Sequence, residues 1–242
     1  MSEKILIDCG TSYTKIYYIN QQYYEVVPSR EFQQWKRDLH ILMATGYNTW
    51  GMGEVQVNEL IALAEGGLRL IPEGSFTLLD CGARDVKYIT MDREKIIRMD
   101  WNTECGAFAG QVIELLINYF NINPHDLPPD SEKIPVVCGV LGMTKMFDKI
   151  AEGVPYPRAF MGFLKGIAWN CYHLVNKPEL LYLSGGLCEN QAFLNSFPCQ
   201  VRPLGRYVLL EGLKSFYEDP SRLKPLEETV SKRADCDREH PQ

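Results

Sequence analysis

Two stretches of this chain carry residues that could do chemistry together. The first reads ILIDCGTSYTK, Ile5 to Lys15, and seventy-two residues later the second reads TLLDCGARDVK, Thr77 to Lys87. In each, an apolar run ends in Asp-Cys-Gly and a Lys follows seven residues after the Asp. Asp8, Cys9, Gly10 and Lys15 answer to Asp80, Cys81, Gly82 and Lys87. A carboxylate at a strand end suits a hydrated Mg²⁺. A glycine beside it lets backbone N–H groups approach an anion without a Cβ in the way. Thr11 and Ser12 add hydroxyls to the first copy, and Lys15 offers a cation. Two such turns, at Asp8 and Asp80, could clamp a phosphate chain around Mg²⁺. Two ordinary β-hairpins would use the same turn residues. The chain has neither G-x-x-x-x-G-K-[ST] nor G-x-G-x-x-G, so any ATP would be held by the hairpins.

A third stretch, LLYLSGGLCEN from Leu180 to Asn190, is an apolar strand followed by paired glycines at a helix start. Gly185 and Gly186 would let a nucleoside lie flat on the backbone. By itself this is also an ordinary helix-opening turn.

The elements that must position these residues alternate in an α/β pattern. Lys4 to Asp8 reads as a buried strand, Thr14 to Asn20 and Tyr23 to Pro28 as strands rich in β-branched and aromatic residues, and His40 to Thr45 as a short apolar run ending at Gly46. Glu54 to Leu68 has a helical apolar face that Gly66-Gly67 should end. The pattern then restarts: strands Thr77–Asp80, Val86–Met91 and Lys95–Met99, and a helix over about Ala107–Phe120. Ile134–Cys138 is a short strand or extended segment. Helices follow over Met143–Ala151 and Arg158–Val175, then the strand Leu180–Leu183. A repeat of strand, strand, strand, helix implies two related lobes. We divide the chain into an N-terminal lobe over 1–72, a C-terminal lobe over 73–218 and a polar tail over 219–242.

Bulk properties narrow the function classes. The chain of 242 residues can bury a real core, and its net charge of −6 offers no excess of Lys and Arg to neutralise nucleic-acid phosphates. No apolar run spans a bilayer and no signal segment opens the chain, so a cytoplasmic protein without a membrane anchor is expected. In that compartment eight cysteines are more readily core thiols or ligands than disulfides.

The order of phosphate turn, phosphate turn and adenosine turn resembles the sugar kinase, Hsp70 and actin superfamily. Two cysteines narrow the resemblance. Cys105 follows Asn102-Thr103-Glu104 at the mouth of a helix, and Cys138 closes IPVVC before another. With ATGYNTWGMG (Ala44 to Gly53), DCGARDVKYI and SGGLCEN, this is similar to the activators of 2-hydroxyacyl-CoA dehydratases and the ATPase subunits of benzoyl-CoA reductase. The likeness covers residues 4 to 213. The chain departs from the family's usual pattern after Cys105, where it reads Gly106-Ala107-Phe108-Ala109-Gly110-Gln111. It departs again at Gly82-Ala83-Arg84-Asp85 and at Val140-Leu141-Gly142-Met143.

The resemblance implies an α/β fold of two ribonuclease-H-like lobes facing across a nucleotide cleft. It implies a homodimer with one [4Fe–4S] cluster held by Cys105 and Cys138 of both subunits, and low-potential electron transfer driven by ATP and Mg²⁺. The electron would pass from a ferredoxin or flavodoxin to a partner iron–sulfur dehydratase or reductase. Four thiolates from a two-fold axis agree with the absence of any C-x-x-C, though buried free cysteines would also account for both residues. Asp8 or Asp85 would position Mg²⁺ or the attacking water. Gly10, Thr11, Ser12, Lys15, Asp80, Gly82, Ala83, Arg84, Gly185 and Gly186 would line the nucleotide. A small-molecule kinase with Asp85 as base, or a non-catalytic actin-like ATP-binding module, fits the same fold. The remaining cysteines, and all four histidines, are assigned no ligand role.

Overall fold

The computed structural model describes residues 3–35, 39–47, 49, 51–102 and 109–227. Cys105, the first half of the altered stretch after it (106–108), and Cys236 lie outside these residues.

The chain forms two compact units. One comprises residues 1–74, 92–96 and 207–242, the other 75–91 and 97–206. In the first, β1 (Lys4–Cys9), β2 (Tyr13–Tyr18) and β3 (Tyr23–Pro28) form an antiparallel meander. After helix α1 (Ser29–Trp35), β4 (His40–Thr45) runs parallel to β1, and the short β5 (Val55–Gln56) closes the order β3-β2-β1-β4-β5. Ile5, Ile7, Ile16, Phe32 and Ala44 make a fully buried core against this sheet.

Helix α2 (Glu59–Leu70) does not stop at its glycine pair; it continues to Leu70, and Asn58 caps its start by accepting from the Leu60 N–H at 2.8 Å. The glycines serve packing. A Cβ on Gly66 would lie 2.0 Å from the Val208 carbonyl oxygen, and one on Gly212 would lie 2.0 Å from that of Ala62. Both glycines therefore let α2 and helix α7 (Val208–Glu218) cross with their backbones in contact. Close tertiary packing outweighs the weak helix propensity of Gly here. Helix α7 consequently belongs to the N-terminal unit, where a linear cut at residue 218 would put it in the second lobe. The polar tail begins with a fixed contact, Arg222 Nε to the buried Glu65 carboxylate at 2.6 Å.

The second unit repeats the first with additions. β6 (Phe76–Cys81), β7 (Val86–Asp92) and β8 (Lys95–Asn102) form the meander, β9 (Leu180–Ser184) lies parallel to β6, and β10 (Gln200–Gly205) is the outer strand. The order β8-β7-β6-β9-β10 matches β3-β2-β1-β4-β5 strand for strand. Between β8 and β9 the chain inserts α3 (Ala109–Phe120), α4 (Gly139–Ala151) and α5 (Tyr156–Leu174); the short α6 (Gln191–Leu194) follows β9. Residues 131–136 run extended along α5. Gly162 and Gly166 leave room for the carbonyls of Glu132 and Ile134, and Asn170 Nδ2 donates to the Val136 carbonyl at 2.7 Å. This extended run delivers Cys138 to the first turn of α4, which begins one residue after it.

Candidate phosphate turns and the cysteine helix

In the first turn, Asp8 and Lys15 face each other across β1 and β2, and Lys15 Nζ donates to Asp8 Oδ2 at 2.7 Å. The turn is latched from below. Ser29 Oγ donates to the Gly10 carbonyl at 2.7 Å and lies 3.0 Å from Thr14 Oγ1. The Ser29 N–H donates to the Ser12 carbonyl at 2.9 Å. Thr11 at the tip is exposed, and Gly10 and Ser12 are half-buried. Nothing in the motif pointed to Ser29, because the latch is a contact across β3 rather than a local spacing.

The second turn uses the same register differently. Asp80 and Lys87 are again paired across the strands, yet Lys87 Nζ donates to Asp85 Oδ1 at 2.8 Å. Asp80 Oδ1 accepts from Ser184 Oγ at 2.8 Å. Trp101 Nε1 donates to Asp85 Oδ2 at 2.9 Å, and its ring lies 5.1 Å from Lys87 Nζ. Both Asp85 oxygens are therefore engaged, and Asp85 and Lys87 are buried. The turn closes on itself through the Gly82 N–H and the Asp85 carbonyl at 3.0 Å. Helix α3 packs on it: the Gln111 N–H donates to the Ala83 carbonyl at 2.8 Å, and a Cβ on Gly110 would sit 2.3 Å from the Gly82 carbonyl oxygen. Arg84 is half-buried beside them.

A further correspondence was hidden in the sequence. Thr45-Gly46 at the end of β4 stands beside Asp8 as Ser184-Gly185 at the end of β9 stands beside Asp80. Gly46 has φ +109° and Gly185 φ +85°, a left-handed conformation suited to glycine. A Cβ on Gly46 would meet the Cys9 backbone at 2.5 Å, and one on Gly185 the Cys81 backbone at 2.3 Å. Gly186 is exposed, and a Cβ there would meet nothing within 4 Å. The signal that could have found this pair is a hydroxyl-glycine step after each parallel apolar strand.

Cys138 caps α4: its Sγ accepts from the Leu141 N–H at 3.4 Å, at the end of the helix where the dipole is positive. Its neighbours are apolar but exposed, Val137 by 72% and Leu141 by 56%. Among the described residues no three His, Cys, Asp or Glu side chains gather as a metal site. Of the other cysteines, burial raises the Cys188 thiol to about 11, and Cys81 is raised by its contact with Cys171 and by burial. Both remain protonated core thiols near neutral pH. Among the described residues no helix is long and apolar enough to cross a membrane.

No family model matches the chain. The (R)-2-hydroxyglutaryl-CoA dehydratase activating ATPase of Acidaminococcus fermentans is 23% identical over 167 residues, 64% of this chain and 64% of that protein. The match thus spans just under two thirds of its length. The activator of the 2-hydroxyisocaproyl-CoA dehydratase from Clostridium difficile, solved with bound ADPNP, aligns with a TM-score of 0.69 at 16% identity, covering 96% of this chain and 97% of that one. Component A of the A. fermentans (R)-2-hydroxyglutaryl-CoA dehydratase gives 0.67 at 17% identity, over 95% of this chain and 100% of that one. These likenesses establish the fold, a mixed α/β fold shared with the two activator structures. The resemblance drawn from the turns and cysteines is met by relatives that bear the activator's name.

Proposed function

We propose that this chain, similar as it is to the activating ATPases of 2-hydroxyacyl-CoA dehydratases, is itself an ATP-dependent activator of a partner dehydratase or reductase. MgATP binds at the two Asp-Cys-Gly turns, and its hydrolysis drives an electron at low potential into the partner's iron–sulfur centre. Asp8 orients Mg²⁺ or the attacking water, and Lys15 leaves Asp8 to meet phosphate. Backbone N–H groups from Gly10 to Ser12 and from Gly82 to Arg84 cradle the phosphate chain, with Gly185 and Gly186 beneath the nucleoside. Stabilisation of the transferring phosphoryl group is mainly electrostatic. Asp85, bound by Lys87 and Trp101, anchors its turn; its engaged oxygens weigh against the kinase reading in which it is a base.

A [4Fe–4S] cluster, when bound, supplies the stored electron. Cys138 fits a ligand's role because its sulfur already accepts a helix N-terminal N–H. The exposed Val137 and Leu141 fit a face covered by a second copy, whose own Cys105 and Cys138 would complete four thiolates. A homodimer in the cytoplasm, charged by a ferredoxin or flavodoxin, follows from this reading.

One observation carries the coupling between the two sites. Trp101 and Gln111 flank the segment that contains Cys105, and both hydrogen-bond the second turn, at Asp85 and Ala83. A turn reshaped by phosphate therefore pulls on both ends of the cysteine segment. Since a ligand shifts a conformation only through differential affinity, MgATP must favour one setting of that segment over another. The test is colour and iron. Anaerobically purified protein should be a brown dimer with about four irons, as one such cluster requires. Cys105→Ala and Cys138→Ala should each abolish the colour, and Cys171→Ala should not. A dimer that stays colourless after reconstitution with iron and sulfide would refute the cluster, and with it the electron-transfer role.

A further inference from the structure

The two turns differ at one buried hydroxyl. Ser184 and Thr45 hold matching places, each in register with its aspartate on a parallel neighbour strand. Ser184 Oγ donates to Asp80. Thr45 Oγ1 is fully buried and has no hydrogen-bond partner among the described residues. A buried hydroxyl without a partner is destabilising, and a valine of the same shape would remove the penalty in a strand that favours β-branched residues. Thr45 is thus a poor choice for a core position alone. Its matching aspartate, Asp8, is at this point held by Lys15 at 2.7 Å.

We infer that Thr45 is a positioning residue for the Asp8 carboxylate: its hydroxyl donates to Asp8 when phosphate draws Lys15 away. The inference rests on the nucleotide reading above. It gives Asp8 in the bound form the support that Ser184 gives Asp80 throughout. Without it, Asp8 loses the side-chain donor it has in Lys15 at the moment its orientation toward Mg²⁺ matters. A Thr also keeps a methyl group at this fully buried position, so the hydroxyl can wait without opening a cavity.

The test compares Thr45→Val, Thr45→Ser and the wild-type protein, reading thermal midpoint without nucleotide and affinity for MgADPNP. Thr45→Val should raise the nucleotide-free midpoint by about 2–4 °C, as loss of an unsatisfied hydroxyl predicts in a chain of this size. It should also weaken MgADPNP binding roughly tenfold, the scale of one hydrogen bond to a charged group. Thr45→Ser should bind like wild type. Ser184→Ala should show the opposite pattern, losing midpoint without nucleotide because its bond to Asp80 is already made. The inference is overturned if Thr45→Val binds MgADPNP as tightly as wild type. It is equally overturned if that variant loses stability or fails to fold without nucleotide, since then the hydroxyl already has work in the core. Wild-type protein that binds no MgADPNP would instead remove the nucleotide reading, and this inference with it.

Discussion

The same phrase, Asp-Cys-Gly with Lys seven residues on, folds into two turns with different wiring. In the first, the lysine reaches straight across the hairpin to the aspartate that opens the turn. That lysine side chain keeps 16% of its exposure, and Thr11 at the tip is open. In the second, the lysine is almost wholly buried, reaches Asp85 and lies against Trp101, and Asp80 accepts from Ser184. The first turn holds a cation poised at a surface; the second is bolted to β8 and α3. Identical motif spacing therefore fixes backbone geometry, while the partners supplied by later strands decide whether a turn is free to react or built to transmit.

The largest effect that separates the two should be on stability. Lys87→Ala leaves Asp85 buried beside an indole N–H with no counter-ion, and removal of one partner from a buried pair costs about 3–5 kcal/mol. Lys15→Ala also leaves a buried carboxylate, but the Lys15 side chain keeps 16% exposure and water can take its place, so it should cost less than half as much. Urea denaturation of both variants checks the ranking, and equal losses would erase the distinction between the turns.

The next effect is on catalysis. Asp8→Asn should lower MgATP hydrolysis about a hundredfold or more while leaving the midpoint of unfolding nearly unchanged, the usual result of removing a group aimed at a transferring phosphoryl. Asp80→Asn should impair hydrolysis too, by less, because a neutral hydroxyl already supports that side chain. If the second substitution is the more damaging, the reactive and transmitting roles are exchanged. A smaller effect sharpens the glycine pair. Gly185→Ala should destabilise the fold by about 1–3 kcal/mol through its left-handed backbone and the Cys81 contact. Gly186→Ala, facing open space, should leave stability alone and change only nucleotide affinity.

Much of this was legible in the residues. Both hairpins follow from β-branched and aromatic runs broken by polar turns, and Gly82 and Gly185 stand where the motif puts them; the short apolar run His40–Thr45 proves to be strand β4. What escaped was tertiary. Gly66 reads as a helix stop because propensity is local, whereas its role depends on Val208, far along the chain. The match of Thr45-Gly46 with Ser184-Gly185 was hidden because the first pair lies 37 residues beyond its aspartate, counting Asp8 to Thr45, and the second lies 104 beyond. Three inserted helices account for the difference. Ser29, Trp101 and Gln111 carry no motif at all; they are seen only once the strand and helices that bear them are packed.

The most direct test of the central claim, that the second turn relays nucleotide state to the Cys105 segment, is the rate at which a chelator strips iron from the reduced dimer. It would be measured with and without MgADPNP, in wild type and in Trp101→Phe, which keeps the ring but loses the donor to Asp85. Coupling of about 1–3 kcal/mol is typical between linked sites, and it is reciprocal in binding. The account predicts a severalfold change in the rate on adding nucleotide to wild type and a much smaller one in Trp101→Phe, with nucleotide affinity shifting in parallel when the cluster is lost. An iron-release rate that is the same with and without nucleotide in the wild-type dimer would contradict it.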